Sequence, residues 1–132
     1  MDHKKLLDEA VSVRNKSYSP YSGFRVGAAL FSKNGIIYTG CNIENAAYTP
    51  TICAERTAFA KAVSEGEREF IAIAVAGWGR EAGFAYPCGV CRQVMMEFCD
   101  PKTFIIIVTD GSDYRQYVLA DLMPLGFGPL SL

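Results

Sequence analysis

Histidine is almost missing from this sequence. The one example, His3, stands beside the chain start and is expected to be solvated rather than to ligate a metal. A site for zinc would therefore have to be built from cysteine, the remaining nitrogen-or-sulfur ligand type. Charge of one sign is also lacking. Thirteen Lys and Arg stand against 14 Asp and Glu, a net charge of −1, which argues against a nucleic-acid partner. Long hydrophobic runs are absent: Ile71 to Ala76 and Phe104 to Val108 are far too short to cross a bilayer, so no membrane partner is expected. Met1-Asp-His-Lys-Lys leads into an amphipathic stretch and not into an apolar signal core. No repeat, linker or low-complexity tract interrupts the chain, so its 132 residues are expected to form one domain, 1–132. Cysteine is the exception to this poverty. Five of them, an odd number without a secretion signal, suggest reduced thiols and a cytoplasmic location.

Three of those cysteines fall in two chemically suggestive stretches. Cys53-Ala-Glu-Arg56 puts a thiol, a carboxylate and a cation within four residues. Pro50 and Thr51 precede it as start signals, and the Ala-rich run Thr57 to Val63 follows, so Cys53 and Glu55 are expected in the first turn of a helix. Backbone N–H groups and the macrodipole there favour a thiolate. Glu55, two residues on, would point about 200° round the helix from Cys53, beside a metal's ligand but not on the same metal. The second stretch, Pro87-Cys88-Gly-Val-Cys91-Arg92-Gln93, opens another helix. By itself this Cys-x-x-Cys could hold zinc, form a redox pair, or lie buried. Joined to Cys53 it makes three thiolates, which leave the fourth tetrahedral position open as catalytic zinc sites do. A structural zinc module is the rival, with Cys41 as its fourth ligand. Cys41 and Cys99 are otherwise expected to be small buried residues.

Along the chain, residues about 3 to 18 read as a helix capped by Asp2, with Leu6, Leu7, Ala10, Val11 and Tyr18 on one side. Phe24 to Phe31 and Ile36 to Asn42 read as strands joined at Asn34-Gly35, a two-residue hairpin signal. Gly27-Ala28-Ala29 invites close packing by a helix. The second helix ends near Gly66. Phe70 to Trp78 is a central strand, Gly79 to Tyr86 a loop, and Thr103 to Thr109 a buried strand. Tyr114 to Val118 is a polar edge strand and Leu119 to Met123 a short helix. Strands placed between helices argue for a three-layer α/β/α sandwich. Both cysteine helices follow strands, so their starts can meet at one end of the sheet.

Four blocks in order carry a further observation: Phe24-Arg-Val-Gly-Ala-Ala29, Asn42-Ile-Glu-Asn-Ala-Ala-Tyr48, Cys53-Ala-Glu-Arg-Thr-Ala58 and Pro87-Cys-Gly-Val-Cys-Arg-Gln93. With the terminal Phe127-Gly-Pro129, they make the chain resemble the small homotetrameric, zinc-dependent cytidine deaminases over Pro20 to Leu130. The resemblance implies a five-stranded mixed sheet, one Zn2+ per subunit on Cys53, Cys88 and Cys91, and deamination of cytidine and deoxycytidine with Glu55 as proton shuttle. It implies that Phe24 walls the pyrimidine, that Asn42 and Glu44 hold the ribose, and that Ala54 belongs to the substrate pocket. Ala46, Tyr48 and Phe127 would reach a neighbouring subunit's site in a homotetramer. From the residues alone, Phe24 could equally be core, and Asn42 and Glu44 a turn residue and a solvated acid. Arg56 could be a surface cation, but the resemblance implies that it neutralises thiolate charge. Arg92 and Gln93 are expected to support the site. A deaminase of a related aminopyrimidine nucleoside, of the blasticidin type, is the nearest enzymatic alternative.

Overall fold

The structure is a computed structural model and describes residues 1–79 and 83–132. Residues 80–82, part of the loop expected from Gly79 to Tyr86, lie outside the described residues. Helix α1 (His3–Val13) is capped by Asp2, whose carboxylate accepts from the Lys5 N–H. Strands β1 (Arg25–Ser32) and β2 (Ile37–Cys41) follow, then α2 (Ala54–Ser64), β3 (Phe70–Trp78), α3 (Gly89–Phe98), β4 (Ile105–Thr109), β5 (Tyr114–Val118) and the short α4 (Leu119–Leu122).

The five strands form one mixed sheet in the order β2-β1-β3-β4-β5. Strand β1 is antiparallel to both β2 and β3, β3 is parallel to β4, and β5 returns antiparallel along the edge. Side chains alternate between faces at period two. Ala29, Ala72, Ala74 and Ala76 face Leu6 and Ala10 of α1, while Ala28, Leu30, Ile73, Val75, Ile106 and Val108 face Ala58, Phe59 and Ala62 of α2 and Met95 of α3. Helices thus cover both faces, and the expected three-layer α/β/α arrangement holds. Double coverage is also why β3 reads as an unbroken apolar run.

Two glycines set how close the helices come. A Cβ on Gly27 would lie 2.1 Å from the Ala10 carbonyl oxygen, so α1 crosses β1 at that point, as the small residues there predict. A Cβ on Gly40 would lie 2.5 Å from the Ala58 nitrogen and 2.7 Å from the Ala54 carbonyl, so the first turns of α2 rest directly on β2.

Three local expectations need correction. The first helix stops at Val13 and tightens into a 3-10 turn at Arg14–Lys16. Tyr18 has left the helix, pairs with Ile43 through backbone hydrogen bonds, and is exposed. The hairpin loop contains three residues, because Ser32 pairs with Ile36 and only Gly35 is left-handed (φ 84°). Cys41 is half-exposed, its thiol directed to the Lys16 carbonyl, whereas Cys99 is buried as expected.

Candidate active site

Strand direction brings the two cysteine stretches together. Because β2 and β3 are both antiparallel to β1, they run the same way and release the chain at the same end of the sheet. The helices that follow start there. Cys53 and Cys88 are the N-cap residues of α2 and α3, one position earlier than a first-turn placement, and both have extended backbones (ψ 155° and 168°). Neither thiol caps its own helix, which leaves both free to turn to one another.

The Sγ atoms of Cys53, Cys88 and Cys91 all lie within 4.8 Å of one another. Cys53 and Cys88 are 3.8 Å apart, and Cys88 and Cys91 3.6 Å. Two thiolates held at ~2.3 Å on a tetrahedral zinc would be about 3.8 Å apart, so the triad fits that ion. Cys41, engaged with Lys16, is outside the cluster, so among the described residues a closed structural site lacks its fourth ligand.

Charge is arranged to favour thiolate. Arg56, far from being a free surface cation, donates from its guanidinium to the Cys53 sulfur at 3.4 Å. Its Nε is buried without a hydrogen-bond partner among the described residues. The Cys53 thiol is pulled down to about 5, first by a hydrogen bond with Cys91 and then by those with Arg56 and Cys88. The Cys91 thiol is pushed up, by the same bond with Cys53 and by burial. Glu55, on the first turn of α2, is only 4% exposed. Burial pushes its carboxyl up to about 7, with the Cys53 charge adding to the effect. An acid of that strength can both take and give a proton near neutrality.

A cleft of about 480 Å³ opens beside this group, a volume suited to a small ligand. Its walls include Phe24, Asn42, Glu44, Cys53, Ala54, Glu55 and Cys88, seven of the expected site residues, from four separate parts of the chain. The Phe24 ring packs over Gly77 and Gly79, near the end of β3, and not into the core. The Asn42 side chain is almost fully used: its Nδ2 donates to the Phe24 carbonyl at 2.8 Å, and its Oδ1 accepts from the Val26 N–H and the Ser17 hydroxyl. One N–H remains for a ligand. Glu44 Oε1 accepts from the N–H groups of Tyr21 and Ser22, and its Oε2 from the Ser22 hydroxyl. The Ser22 hydroxyl beside Glu44 holds that carboxyl below the usual range.

Ala46, Tyr48 and Phe127 are not brought to this cleft. Tyr48 lines an adjoining groove with Tyr21, Ser22 and Glu44, and is 76% exposed. Phe127 is 57% exposed, its carbonyl held by the Gln93 side chain at 2.8 Å. Arg92 donates to the carbonyls of Pro87 and Leu122, so Arg92 and Gln93 tie the zinc-type helix to the C-terminal tail. Sequence reasoning missed Ser22, Thr51, Ile52, Phe84, Ala85 and Tyr86, which also line the cleft. Their one signal was position, directly before Phe24, Cys53 and Pro87.

Residues 1–107 match the family described as the cytidine and deoxycytidylate deaminase zinc-binding region. A cytidine deaminase of Sporosarcina psychrophila is 48% identical over 127 residues, covering 96% of this chain and 92% of that protein. The crystal structure of cytidine deaminase from Burkholderia pseudomallei superposes with a TM-score of 0.89 at 45% identity, over 96% of this chain and 100% of that one. That of cytidine deaminase from Mycobacterium tuberculosis gives 0.83 at 35% identity, over 97% and 98%.

Proposed function

The chain belongs to the family of zinc-binding cytidine and deoxycytidylate deaminases, and on that premise we propose that it converts cytidine and deoxycytidine, with water, to uridine and deoxyuridine plus ammonia. One observation carries this reading to a single reaction: a buried carboxyl, Glu55, stands beside a three-thiol cluster in a nucleoside-sized cleft. A structural or redox centre gives that carboxyl nothing to do.

Zinc held by Cys53, Cys88 and Cys91 would lower the pKa of water to near 7 and so supply a nucleophile at neutral pH. Three thiolates oppose that effect by over-neutralising the ion. Arg56 and the positive ends of α2 and α3 offset their charge. Glu55 takes one proton of the attacking water and delivers it to the ring nitrogen N3, which makes C4 electron-poor. The second proton goes to the exocyclic nitrogen, which leaves as ammonia while the water oxygen stays on C4. A positioned acid/base contributes about 10²–10⁴ in rate to such transfers.

Phe24 packs against the base. At the sugar end, hydrogen-bond accounting favours one hydroxyl, accepting from the spare N–H of Asn42 and donating to the remaining lone pair of Glu44 Oε2. Both nucleosides have a 3′-hydroxyl, so this arrangement suits both. Ala54 lies between Cys53 and Glu55 on the cleft wall, which supports its place in the substrate pocket.

Ala46, Tyr48 and Phe127 complete a neighbouring copy's cleft in a homotetramer. The support is their exposure, together with two left-handed non-glycine residues in the same segments, Tyr48 (φ 61°) and Leu125 (φ 56°). Such backbone is costly and persists where contacts demand it. The whole of 1–132 acts as one catalytic domain. Thiolate ligands call for a reducing compartment, which supports the cytoplasm; among the described residues no helix is long and apolar enough to cross a membrane. The test is turnover of cytidine and deoxycytidine by purified protein, followed by absorbance and ammonia release, with zinc quantified per chain. Bound zinc without turnover of either nucleoside would sink the reading.

A further inference from the structure

Ser22 touches both halves of the cleft through one hydroxyl. Its Oγ donates to Glu44 Oε2 at 2.5 Å and accepts from the Phe24 N–H at 3.0 Å. Its own N–H, with that of Tyr21, donates to Glu44 Oε1 at 3.2 and 2.9 Å. The turn that presents these groups is closed by the Gly23 N–H on the Ser19 carbonyl, with Gly23 left-handed at φ 68°. The remaining Phe24 backbone group, its carbonyl, is held by Asn42. Three of roughly four acceptor positions on Glu44 are therefore filled by this one turn, leaving one on Oε2. The Ser22 side chain is exposed and supports no core residue, so its hydrogen bonds are its evident contribution.

We propose that Ser22 is a positioning residue for the deamination: its hydroxyl aims the free lone pair of Glu44 at the sugar. This rests on the sugar-binding role given to Glu44 above. Without the Ser22 hydroxyl, Oε2 loses the one donor it has among the described residues. The carboxylate keeps its Oε1 anchor but is free to swing about it. A ligand hydroxyl must then order the group that binds it. Ser22 does not touch the reacting carbon, so loss of its hydroxyl raises KM far more than it lowers kcat.

The test compares deoxycytidine with 2′,3′-dideoxycytidine, which lacks the 3′-hydroxyl, in wild type, Ser22→Ala, Ser22→Thr, Glu44→Gln and the Ser22→Ala/Glu44→Gln double variant. Zinc content and Tm are measured for each. Ser22→Ala is expected to raise KM for deoxycytidine roughly five- to tenfold, the size of one ordinary hydrogen bond's net contribution. It should change KM for the dideoxy substrate less than twofold (roughly) and leave kcat and zinc content near wild type. Ser22→Thr, which keeps the hydroxyl, restores the preference. Ser22→Ala adds little in the Glu44→Gln background, because both act on one contact. If Glu44→Gln collapses the preference for the 3′-hydroxyl and Ser22→Ala does not, the proposal is overturned while the sugar reading stands. If Glu44→Gln leaves the preference intact, the sugar reading fails and the proposal falls with it. A uniform loss on both substrates, or a fall in zinc or Tm, makes Ser22 a structural residue and overturns the proposal.

Discussion

The two ends of the cleft are built differently. At the metal end, Cys53, Glu55, Cys88 and Cys91 stand on the first turns or caps of helices, and α2 rests on Gly40 without room for a Cβ. At the outer end, the loop Asn42 to Tyr48 starts at the cleft wall and leads out of it, and Leu125 to Phe127 form a second loop away from it; both are largely exposed, and each has one left-handed residue that is not glycine. The residues proposed to handle protons and metal thus come together within one chain. The parts that would close over a substrate are held out from it. Groups that must keep fixed distances through the chemistry gain from the sheet's rigidity, whereas a cover that must open can come from elsewhere.

The sharpest way to break this contrast is at the metal end. Cys53→Ala, Cys88→Ala and Cys91→Ala are each expected to abolish activity and lose zinc, read by metal analysis and cytidine turnover. Any one that keeps full zinc and activity is not a ligand. Glu55→Gln should keep zinc and fold yet lose turnover by about 10²–10⁴ or more, since an amide cannot relay protons. Near-normal kcat would move the proton chemistry elsewhere.

At the outer end the effects should be smaller and of another kind. Phe127→Ala is expected to stay folded, because the ring is exposed, where removing a core Phe would cost about 3–5 kcal/mol. It should raise KM for cytidine roughly tenfold or more with zinc retained. Mixing it with Glu55→Gln under conditions that exchange subunits should recover activity, since some sites would pair an intact Glu55 with a neighbour's intact Phe127. No recovery after proven exchange would make each cleft self-contained.

The smallest effect is one of stability in chelated protein. Glu55 has a folded pKa of about 7 against an ordinary 4.5, so its stabilising contribution is present below 4.5 and is lost as pH rises through 7. Glu55→Gln, which never ionises, should therefore gain Tm relative to wild type between those values, by a few degrees. A difference that stays flat with pH would show that Glu55 ionises freely.

How much of this was legible in the sequence varies with the kind of constraint. The sheet, its double coverage and the three thiols followed from apolar runs and cysteine spacing, which are local patterns. The end of α1 did not, because the contact that fixes it lies at Gly27, across the fold. The three-residue hairpin escaped because Asn34-Gly35 suits either loop, and strand register decides. Cys53 and Cys88 as extended caps are a one-residue matter that helix signals do not resolve. Ser22 went unnoticed since a serine in a turn carries no pattern; only its bond to a residue 22 positions away gives it meaning.

The thiol pair Cys53 and Cys88 has a mechanical consequence as well as a chemical one. They are 35 residues apart and belong to helices on opposite sides of the central strand in sequence. An ion shared between them binds where the fold has brought them together, so metal binding and folding become one coupled equilibrium. Metal supply then becomes a variable of folding. Free zinc at 100 times its dissociation constant adds about 2.7 kcal/mol to the folded state by mass action. Chains without zinc would thus spend more of their time unfolded and open to proteolysis.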